Sequence, residues 1–282
     1  MDICLIMDNP ETPHHPVLGV ALQKLKARHS VRLLDVVGLK DEEAIALEQG
    51  FPQSDLYLLK SHAPQALAVA HYLEQHGARV INSWASSLAC QDRVLMADMM
   101  KQADLPWPAT THVTTLAQLF AGQAQQANLQ FPLIIKSHYS HRGDLVSKVD
   151  SLEELHDLLP EWSEEPIVFQ EFVPGDGWDI KLWVIGSEIY AARRRTPLEA
   201  DASKEDIPLT SEELPAEWAR ITRTIGEKFQ LYLYGIDLLE TVRGPMIVDV
   251  NGFPGFRGVP RADEALVELV ERFNPEGKQT NA

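Results

Sequence analysis

The sequence predicts an α/β protein of two or three small domains that share a cleft. Three observations carry this. The chain has 282 residues, more than one typical domain. Its first part, up to about Asn82, alternates strand-like and helix-like segments in the way a small, mostly parallel sheet with covering helices requires. Residues 234–255 read as a hairpin of two apolar arms with isolated carboxylates inside them. An apolar fraction of 45% is ordinary for a globular chain and ample for a core.

The formal charge of −16 argues against a broad nucleic-acid surface, which needs a basic face. Any anion site must therefore be a local cluster of Lys, Arg and His. Cys4 and Cys90 stand far apart with no metal-ligand spacing, which points to a reducing, cytoplasmic setting. The first seven residues lack a basic lead and a cleavage site, and no apolar run reaches the length of about 18 residues that a membrane helix needs. The expectation is a soluble protein without membrane contact. No internal repeat is present, and the oligomeric state is not legible.

In chain order, Ile3 to Met7 reads as a buried strand and Val17 to Arg28 as an amphipathic helix. Val31 to Val36 and Asp55 to Leu59 follow as strands, Ala66 to His76 as a helix, and Arg79 to Ile81 as a short strand. His14 and His15 lie in the loop after the first strand, where open α/β sheets bind ligands. Two solvated loop histidines are the competing reading. A new unit begins at Asn82. It contains a helix over Asp92 to Ala103, a polar helical stretch over Gln118 to Gln130, and a strand Phe131 to Lys136. Leu145 to Val149 is a strand, and Ser151 with Glu154 makes a capping box for a helix over Leu152 to Leu159. Strands over Ile167 to Val173, Asp179 to Ile185 and Glu188 to Arg194 precede a charged, Pro-bounded loop, Pro197 to Pro215, a candidate lid. A helix over Glu217 to Gln230, the hairpin, a helix over Ala262 to Phe273 and a polar, frayed tail after Asn274 complete the chain.

The hairpin carries the chemistry. If Val242 to Gly244 form the loop, Asp237 lies opposite Asp249, and Asn251 falls on the same face two residues on. Ile236, Leu238, Val248 and Val250 argue that these arms are buried. Two facing carboxylates on a half-buried face repel each other and call for a cation. With an amide oxygen beside them, they form a hard donor set of the kind that holds Mg²⁺ together with phosphates and water. An exposed strand edge is the alternative.

Cations gather elsewhere. Lys136 ends an apolar strand and is followed by His138, His141 and Arg142. Lys181 follows the Gln170-Glu171-Phe172-Val173 run, and Arg193, Arg194 and Arg195 lie on the next strand, with Arg194 on the opposite face from the other two. A solvated edge that guards against strand pairing is the alternative for the three arginines. Arg257 and Arg261 follow the hairpin closely.

Taken in order, a lysine-ended strand, the Gln170–Val173 hinge, Gly-Ile-Asp-Leu-Leu at 235–239 and Asp-Val-Asn-x-x-Pro-Gly at 249–255 resemble the ATP-grasp superfamily over about residues 80 to 275. The resemblance implies an N-terminal α/β domain, residues 1–82, and two α+β subdomains, 83–168 and 169–282, clasping ATP. Within the superfamily, RimK-type carboxylate–amine ligases usually show Asp-Lys, Asp-Ile-Arg and Glu-Val-Asn. This chain has Asp92-Arg93, Asp179-Ile-Lys181 and Asp249-Val-Asn251, which look like the inositol-trisphosphate 5/6-kinase branch. The run Tyr57 to Lys60 is similar to a substrate-facing motif of that branch. Two features depart from it: His14 and His15 replace a lysine-rich first loop, and the loop after Lys136 is short.

By resemblance, Arg93 and Lys136 hold ATP phosphates and Gln170, Glu171, Phe172 and Val173 frame the adenine. Asp237, Asp249 and Asn251 hold Mg²⁺. Lys60, His141, Lys181, Arg194, Asn251 and Gly255 face a small anionic acceptor, with Lys181, Arg194 and His141 nearest the reacting atoms. The first expectation is a kinase that moves the γ-phosphoryl group of ATP to a hydroxyl of a small polyol phosphate. The second is a ligase that works through an acyl phosphate. A nucleotide-binding regulator without catalysis is the third.

Overall fold

The structure is a computed structural model and describes residues 1–37, 53–123, 129–140, 145–195 and 206–274. The N-terminal strands are β1 (Asp2–Met7), β2 (Ser30–Asp35), β3 (Leu56–Lys60) and β4 (Val80–Ile81), with helices α1 (Leu18–Lys26) and α2 (Pro64–Gln75) between them. They form a parallel sheet in the order β2-β1-β3-β4. Because both faces are covered, β1 and β3 read as continuous apolar runs rather than alternating ones. Cys4, Ile6, Tyr57 and Leu59 pack on α2 through Ala66, Val69 and Leu73. Ile3, Leu5, Met7 and Leu58 pack on the other face, on Leu18, Leu22 and Leu25 of α1.

Two helices follow, α3 (Trp84–Gln91) and α4 (Arg93–Gln102), hinged at Asp92. Asp92 ends the first and caps the second, its Oδ1 accepting from Val94 and Leu95 N–H at 3.0 Å each. The α3 helix is not evident in the sequence, where Asn82-Ser-Trp-Ala-Ser-Ser shows no apolar period. Next come β5 (Thr110–Thr115), β6 (Leu133–Ser137), β7 (Val146–Val149), helix α5 (Leu152–Asp157) and β8 (Pro166–Glu171). The four strands make an antiparallel sheet in the order β5-β8-β6-β7. β5 was not expected, since its Thr-Thr-His-Val-Thr-Thr sequence lacks an apolar face.

Of the helix expected over Gln118 to Gln130, the described residues show a short helical turn, Leu116–Gln118, followed by a wide turn over Leu119–Gln123; residues 124–128 lie outside the described residues. The α5 helix stops early because Pro160 cannot continue it, and a separate turn spans Leu159–Trp162. Ser151 Oγ caps α5 through Glu154 N–H at 3.2 Å, but Glu154 returns to Asp150 N–H rather than to Ser151. β8 runs across the 168/169 boundary and keeps Gln170 and Glu171 in this central sheet.

The third sheet contains β9 (Trp178–Ile185), β10 (Glu188–Arg195), β11 (Ile207–Leu209), β12 (Leu233–Thr241) and β13 (Gly244–Gly252). It is antiparallel in the order β11-β10-β9-β12-β13. Helix α6 (Ala216–Phe229) lies on one face, where Trp218, Ile221, Ile225 and Phe229 meet Ile180, Leu182, Ile236, Leu238 and Val250. The other face is left for the site. β11 takes up part of the charged segment expected as a lid; residues 196–205 of that segment lie outside the described residues, as does the tail after Asn274.

The last helix, α7 (Ala262–Glu271), does not stay with this sheet. Its Leu266, Leu269 and Val270 join the α1 face of the N-terminal sheet, together with Phe253, Phe256 and Val259. Phe253 and Phe256 hold left-handed backbone, φ 49° and 54°, on either side of Pro254-Gly255. Such angles are costly for aromatic residues, and burial of both rings offsets that cost. Asn82 closes the junction from the other side. Fully buried, it donates to Leu233 O at 2.6 Å and accepts from Tyr232 and Leu233 N–H at 2.9 and 3.1 Å. Among the described residues no helix is long and apolar enough to cross a membrane.

Candidate active site

Strand register builds the centre of the site. Lys181 on β9, Asp237 on β12 and Asp249 on β13 are lateral neighbours in one row. Trp183, Gly235 and Asn251 form the next row on the same face. The expected pairing of Asp237 with Asp249 is present, but it arises by a different route. The turn is tighter, with Thr241 opposite Gly244 at φ 90°, which a side chain would strain. That alone would leave the arms one residue out of step. A β-bulge at Val248 restores the register before Asp249. Val248 consequently turns toward the site and is only half-buried, unlike Ile236, Leu238 and Val250, which are in the core.

The bulge also frees a carbonyl. Val248 O accepts from Lys136 Nζ at 2.8 Å, so the lysine at the end of β6 reaches across from the central sheet to the hairpin. Arg93, at the first turn of α4, is buried as well. Its Nη1 donates to Ser137 O at 2.7 Å and its Nη2 lies 3.9 Å from Asp249 Oδ2. Lys181 Nζ sits 2.7 Å from Asp237 Oδ2. Burial pushes the Asp237 carboxyl above its ordinary range; Lys181 opposes the shift and the charge of Asp249 adds to it. Arg194 lies on the site face, as alternation predicts. It forks onto Asp206 at 2.7 and 2.8 Å, and that pairing raises its pKa.

Asp237, Asp249 and the Asn251 amide make two carboxylates and one neutral oxygen on facing strands. Among the described residues no group of three or more His, Cys, Asp and Glu side chains is placed to hold a metal ion. The set therefore suits Mg²⁺, which usually takes one or two carboxylates and fills its octahedron with phosphate oxygens and water, better than it suits zinc. Burial raises Asp237 and the charge of Asp249 adds to it, and a divalent cation held between the two carboxylates would offset both.

The hinge residues line the gap between the two sheets. Gln170 is buried and its Nε2 donates to Thr110 Oγ1 at 3.4 Å. Glu171 pairs with Arg243 at 2.9 Å, which ties the hinge to the turn of the hairpin. Phe172 carries Lys148 Nζ 4.8 Å above its ring, and Val173 is buried.

At the other end, a cavity of about 560 Å³ opens between the loop after β1 and the end of β13. Lys60, Asn251 and Gly255 line it, together with His14, His15, Arg257, Asp8 and Glu11. Lys181 and Arg194 are not part of this lining. His141 lies outside the described residues. The two loop histidines separate: His14 is exposed, whereas His15 is half-buried and bonded to the start of α1. Sequence reasoning missed Asp8, Glu11 and Ser137, which sit in loops or act through a carbonyl; the loop-after-strand position was the one available signal for the first two.

The model of the RimK-like ATP-grasp domain matches residues 90–268, which contain Gln170 to Val173, the acid row, Arg93 and Lys136. The chain belongs to the RimK-like ATP-grasp family. A probable α-L-glutamate ligase of Shewanella amazonensis is 24% identical over 246 residues, covering 78% of this chain and 77% of that protein. The α-aminoadipate–LysW ligase LysX of Saccharolobus solfataricus is 28% identical over 228 residues, covering 74% and 79%. Among solved structures, the RimK domain ATP-grasp protein of Sphaerobacter thermophilus superposes with a TM-score of 0.69 at 21% identity, covering 96% of this chain and 99% of that one. The D-alanine–D-alanine ligase of Bacillus anthracis, solved with ATP, gives 0.68 at 18% identity, covering 97% and 95%.

These findings confirm the ATP-grasp fold and overturn the expectation of a polyol-phosphate kinase. The relatives are named as an α-L-glutamate ligase and an α-aminoadipate–LysW ligase, which matches the second expectation, a ligase, rather than the first. The physical source of the error is Lys181. Its lysine-for-arginine change was read as a statement about the acceptor, yet its ammonium is engaged with Asp237 inside the acid row. Lysine and arginine carry the same charge, so the choice between them there concerns how Asp237 is gripped and says little about what is modified.

Proposed function

We propose that this RimK-like protein is an ATP- and Mg²⁺-dependent carboxylate–amine ligase. The observation that carries the reading is that the family match spans the residues of the acid row together with Arg93 and Lys136. In this reading Asp237, Asp249 and Asn251 hold Mg²⁺, which would screen the phosphate charge. Arg93 and Lys136 lie within reach of the same hairpin and grip the β- and γ-phosphates, Lys136 exchanging the Val248 carbonyl for a phosphate oxygen. Gln170 to Val173 frame the base.

The substrate carboxylate attacks the γ-phosphorus, the bond to the β-bridging oxygen breaks, and ADP leaves. An amine nitrogen then attacks the acyl carbon of the acyl phosphate, phosphate departs, and the amine loses a proton to form the amide. Both steps build up charge on oxygens that fixed cations face, so positioning and electrostatics supply most of the catalysis. Lys181 opposes the rise that burial imposes on the Asp237 pKa. The acid is proposed to occupy the cavity by Lys60; glutamate and α-aminoadipate, from the names of the relatives, are the first substrates to try, as the acid or as the amine partner.

The test is coupled ADP and phosphate release with a panel of acids, using hydroxylamine as the amine. Acid-dependent hydroxamate, formed in step with phosphate, is expected. ATP turnover that requires a polyol and yields a phosphate ester would reject the ligase.

A further inference from the structure

The loop after β1 is built before any ligand arrives. Thr12–His14 forms a 3-10 turn, closed by Thr12 N–H to Asn9 O and His14 N–H to Glu11 O at 2.9 Å each. The His15 carbonyl accepts from Gly19 N–H at 2.7 Å, and a Cβ on Gly19 would overlap the Pro13 carbonyl oxygen, so α1 rests directly on this loop. The His15 ring then serves where Ser or Asp usually does. Its Nδ1 accepts from Val17 and Leu18 N–H at 3.3 and 3.4 Å, while Val17, at the N-cap, supplies no side-chain acceptor.

That contact fixes the tautomer. When Nδ1 accepts, the proton of a neutral imidazole resides on Nε2. The neutral ring is also the favoured one, because burial and the nearby Arg257 and Lys60 all lower the His15 pKa. Nε2 lies against Gly255, where a Cβ would come within 2.9 Å of it, so only the absence of a side chain there leaves the ring in place. His15, Lys60 and Arg257 thus give the cavity a neutral donor beside two cations. Asp8 and Glu11 line the same cavity, so its formal charges balance, two of each sign with the histidines neutral. Such a balance suits a substrate with one carboxylate and a positive group better than a multiply charged phosphate.

We propose that His15 determines specificity in the ligase site, donating Nε2–H to a carboxylate oxygen of the substrate acid beside Lys60 and Arg257. The assignment rests on the ligase reading for its role, but its test does not depend on turnover. With ¹⁵N-histidine, the His15 ring, assigned by its loss in His15→Asn, is expected to show the Nε2–H tautomer. At least one of acetate, succinate, L-glutamate and L-α-aminoadipate should shift its Nε2 signal saturably. An Nδ1–H ring, or no response to any of the four, overturns the proposal. A ring that responds in a protein making no ADP would instead sink the ligase reading and leave the carboxylate site standing.

Two variants separate recognition from helix capping. His15→Asn keeps an acceptor near Nδ1 and removes the donor; His15→Gln keeps a donor near Nε2 and removes the cap. In the hydroxamate assay, His15→Asn should raise the KM for the acid about tenfold, the usual scale for one hydrogen bond to a charged group, with ATP KM and Tm held. His15→Gln should stay within about threefold on the same scale. The reverse order, with Asn tolerated and Gln impaired, would show that His15 only caps α1.

Discussion

Asp237 and Asp249 are held by strand register and flanked by Lys181 on the next strand, and the bulge carbonyl of Val248 beside them is bonded to the Lys136 side chain. His15 and Lys60 face the other end of the cleft from a loop and a strand terminus, held by a 3-10 turn, a helix start and a glycine contact. The first region is a lattice in which neighbours are fixed by counting residues. The second is an assembly of segments distant in sequence, from Asp8 to Arg257, that meet only after folding. The ATP end of such a cleft can stay constant while the acceptor end varies, because changing one loop leaves the ladder untouched.

The comparison is broken most forcefully at the lattice. Asp249→Asn preserves shape but removes one proposed Mg²⁺ charge, and turnover should fall about a hundredfold, or roughly 3 kcal/mol. Without Mg²⁺ its melting temperature should match or exceed the wild type, since the push on Asp237 is relieved. Near-normal turnover at saturating Mg²⁺ contradicts the assignment. At the loop end, Gly19→Ala forces a methyl group against the Pro13 carbonyl and should cost about 1–3 kcal/mol, read as a lower Tm, together with a raised KM for the acid. An unchanged Tm would show that α1 and the loop move freely.

Deleting Val248 sharpens the lattice side. The hairpin should close into a regular ladder with Asp237 still opposite Asp249, but Lys136 loses the bulge carbonyl. Since ATP binding would exchange that carbonyl for phosphate, the exchange no longer gives up a bond, and ATP KM should fall several-fold, by up to about 1.4 kcal/mol, with the fold retained; loss of all Mg²⁺ dependence would mean that the register had slipped instead. The smallest effect is expected for Lys60→Ala, a several-fold increase in the KM for the acid, about 1 kcal/mol, with ATP KM unchanged. A defect in ATP KM alone would remove Lys60 from the acceptor end.

The same contrast explains what could be read from the chain. Period-2 alternation located Asp237, Asp249, Asn251 and the face of Arg194, because strand geometry converts residue spacing into spatial position. Even there the details compensated: a shorter turn and a bulge together gave the register that a longer turn without a bulge would give. The partner of Lys136 was not legible, because the bulge exposes a carbonyl and no side chain announces it. His15 was visible only as a histidine in a suggestive loop, since its ring orientation depends on α1 and Gly255. The kinase expectation failed because residue type at Lys181 was interpreted without its salt-bridge partner.

The excursion of α7 back to the N-terminal sheet has a consequence for how the protein is made. Among the described residues, half of the buried side chains in the α1-side core come from Ile185 onward, most of them from residues 253–270. On the ribosome, the parallel sheet emerges first yet has only α1 on one face, with half of that core absent, until the stretch from residue 82 to residue 253 has been synthesised, roughly 10–30 s at ordinary elongation rates. A fragment of residues 1–82 should accordingly bind an apolar dye and melt without cooperativity, whereas a cooperative melt would show that the sheet closes without α7. The domain made first is thus completed last, and its nascent chain offers chaperones an apolar surface for most of translation.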